Sequence, residues 1–86
     1  MTSVEKLENV LSKIIIPRFK ELVGLNVKHM GLDENWFRII YYFTPPMDTS
    51  DAKKIMDETT SLYKMMGFGD GDIIVRFERS EIWLYD

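Results

Sequence analysis

Apolar and polar residues alternate with different periods along this chain, and each change of period marks an element. From Val4, apolar residues recur at Leu7, Leu11, Ile14 and Ile15, the spacing of one helix face. Thr2 or Ser3 can cap the start, and Thr2 with Glu5 fits a capping box. Pro17 then removes a backbone donor and disfavours helix at Ile16. Phe19, Leu22 and Val23 follow on a rotated stripe, so the pattern predicts one kinked helix, or two short ones meeting at Pro17, closed by Gly24.

Extended runs are expected over about 25–30 and 36–44. The second, WFRIIYYFT, is almost wholly aromatic and β-branched, and Pro45-Pro46 ends it. Asp48 or Ser50 can cap a second helix whose predicted apolar face is Ala52, Ile55, Met56, Thr59, Leu62, Tyr63 and Met66. The glycine-rich stretch MMGFGDGD follows, then DIIVRFE and EIWLYD around Arg79-Ser80. LVGL at 22–25 and MMGF at 65–68 suggest that the element order runs twice. The expectation is a single α+β domain over residues 1–86, in the order α-β-β-α-β-β. Two helices would cover one face of a four-stranded, mainly antiparallel sheet.

Residues alternate across a sheet. Phe37, Ile39, Tyr41 and Phe43 therefore share one face with Ile73, Val75 and Phe77, and belong under the helices. A final hairpin turning at Arg79-Ser80 would set Phe77 against Ile82, Val75 against Leu84, Arg76 against Trp83 and Ile74 against Tyr85. The other face then carries Trp36, Arg38, Ile40, Tyr42, Ile74, Arg76, Trp83 and Tyr85, joined by Lys28 and Met30. With two helices available, this second face has no cover from its own chain. Tryptophan, tyrosine and arginine are enriched at binding hot spots, so these eight residues form the candidate interface.

Composition narrows the occupants. Among 86 residues, 11 basic and 14 acidic side chains leave a net charge of −3, which weighs against a strongly basic nucleic-acid clamp but permits a local basic patch. A chain this short buries a modest core and often gains from oligomerisation. A face-to-face homodimer is the leading expectation. A different protein or a small apolar ligand comes next, then single-stranded nucleic acid stacking on the aromatics. Arginine stems lying over the rings, with nothing bound, form the plain structural alternative. The first residues, MTSVEKLENVL, carry acids and do not resemble a secretory leader, and no apolar run approaches a membrane span. A soluble cytoplasmic protein is expected, with no membrane association.

Catalytic and cofactor chemistry finds little support in the residues. The chain has no cysteine, which removes thiol catalysis and thiolate metal sites. The glycine stretch follows a helix and precedes a strand, the reverse of a phosphate-cradling loop, and Asp70 and Asp72 stand where an anion would sit. Two aspartates are too few for a calcium loop. Gly67 reads instead as a helix C-cap, with Gly69 and Gly71 in turn conformations. His29, the single histidine, falls in phase with Leu25 and Val27 without an evident orienting partner; an unrecognised pocket around it is the remaining enzymatic alternative. No catalytic residue, metal or cofactor is expected.

Overall fold

A computed structural model describes residues 2–30, 36–68 and 72–80, with the side chain of Asp72 excluded. Helix α1 spans Ser3–Ile14. The Thr2 hydroxyl accepts from the Glu5 amide at 3.1 Å, and the Glu5 carboxylate accepts from the Thr2 amide at 3.2 Å. This is the reciprocal capping box that the sequence pattern requires. Leu7, Leu11 and Ile15, each one turn apart, are fully buried.

Pro17 ends the helix more sharply than its kink was expected to. Ile15 is the C-cap, and a short 3-10 turn over Ile16–Arg18 carries the chain out to extended backbone at Phe19. Strand β1 then runs Leu22–His29. The expected continuation of helix to Gly24 is therefore incorrect, and Gly24 lies inside a strand. It sits at a register shift between Leu22 and Gly24, where Val23 is the extra residue of a bulge. The apparent repeat of LVGL and MMGF thus compares a strand with a turn.

Strand β2 spans Trp36–Phe43 and pairs antiparallel with β1. Helix α2, Thr49–Tyr63, is preceded by Asp48, whose carbonyl accepts from Ala52. Ile55, Thr59 and Tyr63 are its buried stripe, while Met56, expected on that stripe, is 43 % exposed. A wider turn over Lys64–Phe68 closes it. There Gly67 adopts φ 88°, a left-handed conformation that fits its expected capping role. Strand β3, Asp72–Arg79, lies against β2 in parallel.

The expected four-stranded, mainly antiparallel sheet is thereby overturned. Among the described residues the sheet has three strands, ordered β1-β2-β3, and it is mixed. The reason lies in the connection. A parallel neighbour needs a crossover long enough to bring the chain back to its starting end, and α2 with its closing turn provides one. The fourth strand was expected over EIWLYD, which lies outside the described residues.

Both helices pack on one face. Leu7, Leu11 and Ile15 of α1 and Ile55 and Tyr63 of α2 join Leu22, Val27, Phe37, Ile39 and Tyr41 in a single core. Phe37 meets Tyr63 edge-on at 6.0 Å and Phe68 at 5.3 Å, and Tyr63 stacks on Phe68 at 5.0 Å. An Arg18–Glu58 ion pair ties the 3-10 turn to α2. No helix among the described residues is long and apolar enough to cross a membrane.

Candidate functional site

The helices use up one face of the sheet, which leaves the other as the candidate site. Register builds it row by row. Lys28 of β1 stands opposite Arg38 of β2, which in turn lies beside Ile74 of β3. The next row holds Asn26, Ile40 and Arg76, and the one after it Gly24, Tyr42 and Glu78. Trp36 opens the strand at the other end, where its carbonyl accepts from the Met30 amide at 3.1 Å. Strands lie ~4.8 Å apart, so Lys28, Arg38 and Arg76 surround Ile40 in one patch.

Burial within the patch is uneven. Ile40 is 6 % exposed although it points away from the helices, whereas Ile74 is 42 % exposed. Trp36, Arg38 and Tyr42 are half-buried; Lys28, Arg76 and Glu78 are exposed. In the register, Ile40 lies between Asn26 and Arg76, one row from the Lys28–Arg38 pair. Six of the eight expected interface residues thus lie together: Trp36, Arg38, Ile40, Tyr42, Ile74 and Arg76. Trp83 and Tyr85 lie outside the described residues, as does the hairpin register that placed them.

The electrostatics of the patch are one-sided. None of Lys28, Arg38 and Arg76 forms an ion pair with a described residue, and Glu78 is the single carboxylate among the described side chains of these rows. Like charges directly opposite across a sheet are unfavourable, and Lys28 faces Arg38 in that way. The Arg38 Nε is also enclosed without a hydrogen-bond acceptor, a cost of about 1–3 kcal/mol for a buried donor left unpaired. Sequence reasoning placed Lys28 on this face but missed its opposition to Arg38, because that depends on the hairpin register.

The enzymatic alternative centres on His29. His29 borders a cleft of about 330 Å³ lined by Thr2, Ser3, Val4 and Phe37. Its ring lies 4.9 Å from that of Phe37, tilted by 37°. Among the described residues, the cleft lining includes no carboxylate to orient the imidazole. Thr2 and Glu5 already occupy the helix start beside it with their own capping bonds. Among the described residues, no group of three or more histidines and carboxylates is placed to hold a metal. Asp70 and the side chain of Asp72 lie outside the description. No family model, no curated protein and no solved structure matches this chain.

Proposed function

We propose that this chain is a small interaction module without catalysis of its own, and that the helix-free face of its sheet is where a partner docks. One observation carries the reading. Among the described residues, the face groups Trp36, Tyr42 and the exposed Ile74 with three cations that form no ion pair with a described carboxylate, while both helices pack on the opposite side. A sheet face kept only for solubility would intersperse charges of both signs.

A face-to-face homodimer remains one form of this module. Its argument drew on four aromatics, and Trp36 and Tyr42 are the two that support it within the described face. Against it stands the charge. A two-fold axis would bring Lys28, Arg38 and Arg76 toward their own copies, with Glu78 as their described counter-charge.

The reading is tested without knowing the partner. Ile74→Lys places a charge at an exposed apolar position of the face. Urea denaturation should show a loss under about 1 kcal/mol, the range of strand and surface substitutions. A loss of about 2–5 kcal/mol, as for a truncated core residue, would mean that this face serves the chain's own stability. Sedimentation of both proteins shows whether any self-association depends on Ile74.

A further inference from the structure

We propose that the partner of this face is a single-stranded nucleic acid, an inference that rests on the docking face described above. The argument begins with sign. The chain carries −3 overall, yet Lys28, Arg38 and Arg76 form a contiguous patch in which Glu78 is the single carboxylate among the described side chains. Charge screens within about 8–10 Å at ordinary ionic strength, so a ligand lying on the sheet meets this patch rather than the acidic remainder. A chain of phosphates would relieve the opposition of Lys28 and Arg38.

Aromatic placement separates a nucleic acid from an acidic polypeptide. Trp36 and Tyr42 stand at opposite ends of the central strand, on the cationic face, and both are half-buried rather than wrapped in the core. Six residue steps along the strand separate them by about 20 Å, with Arg38 between. Rings that hold bases while intervening cations hold backbone phosphates are the arrangement of sheet-based single-strand binders. A duplex keeps its bases stacked inside and cannot use the rings.

The test is fluorescence anisotropy with a labelled, mixed-sequence oligonucleotide of about twelve nucleotides, added to the full chain at low salt. Binding is expected, with affinity falling as salt rises. Lys28→Gln with Arg76→Gln, both at exposed positions, should weaken it by about tenfold or more. Lys53→Gln with Lys54→Gln, exposed on α2, should leave it unchanged. The same sequence as a duplex should bind more weakly. Equal weakening by the two double variants, or equal binding of the duplex, overturns the proposal. So does an absence of binding. In that event a polyglutamate peptide and sedimentation of the free chain decide what else fails. Peptide binding or self-association that depends on Lys28 and Arg76 leaves the docking face standing with a different occupant. With neither, the docking face falls as well.

Discussion

Tyr41 on the central strand and Thr59 on α2 share a 2.6 Å hydrogen bond, and both residues are fully buried. The bond fixes how α2 sits on the sheet, since each hydroxyl would otherwise be enclosed without a partner. Replacing either one strands the other. Tyr41→Phe and Thr59→Val are each expected to cost about 1–3 kcal/mol. The double variant should cost less than their sum, because it leaves no orphan, with a coupling of about 0.5–3 kcal/mol. A urea-denaturation cycle over the four proteins measures it, and additive losses would show that the bond carries no weight.

The same tyrosine sets an alkaline limit. Burial is the main cause that pushes its hydroxyl from 10.0 up to about 12; the Thr59 hydrogen bond lowers it and Glu58 adds a smaller upward push. The unfolded chain therefore loses this proton first. The tyrosine's contribution is complete below about pH 10 and falls by about 1.4 kcal/mol per unit as pH rises toward 12. Stability curves of wild type and Tyr41→Phe should converge over that interval. Parallel curves would place the tyrosine's ionisation elsewhere.

Gly67 and Gly24 should respond differently to alanine. Neither site has an atom within 4 Å of an added Cβ, so space is not the issue. Gly67 holds φ 88°, and a side chain in that left-handed region costs about 1–2 kcal/mol. Gly24 has no such conformation and should tolerate alanine with a change within about 0.5 kcal/mol. Thermal melts of the two variants compare them directly, and equal shifts would remove backbone conformation as the cause.

At the start of α1, Thr2→Ala is expected to cost about 0.5–2 kcal/mol by removing the acceptor of the Glu5 amide. Glu5→Gln should retain most of the cap, since a glutamine carbonyl can still accept from the Thr2 amide. Helical circular dichroism during denaturation reads both. A larger loss from Glu5→Gln than from Thr2→Ala would show that charge at the helix start matters more than the reciprocal bonds.

Alternation along β2 and β3 placed Phe37, Ile39, Tyr41, Ile73, Val75 and Phe77 toward the helix-covered core, because side-chain period does not depend on strand direction. For the same reason it could not distinguish a parallel from an antiparallel neighbour, and the sheet was assigned the wrong pairing. Phe19, Leu22 and Val23 misled differently. Their spacing fits a helix stripe, but Pro17 had already ended the helix; Phe19 lies on the connection, and pairing of Leu22 with Phe43 begins the strand. The candidate patch was legible in its members but not in its electrostatics. Which cation faces which follows from a register that single-strand patterning does not contain.

The central position of β2 carries a hazard of its own. Its sequence, WFRIIYYF, has one charged residue, Arg38, and is otherwise of the kind that pairs with copies of itself when an edge is bared. β1 guards one flank through a local hairpin. β3 guards the other, but only after the chain has passed through α2 and the Gly67 turn. Any opening that frees β3 while the hairpin survives uncovers an aggregation-prone edge. Arg38 is the one gatekeeper that strand possesses, so a substitution there endangers solubility as well as recognition.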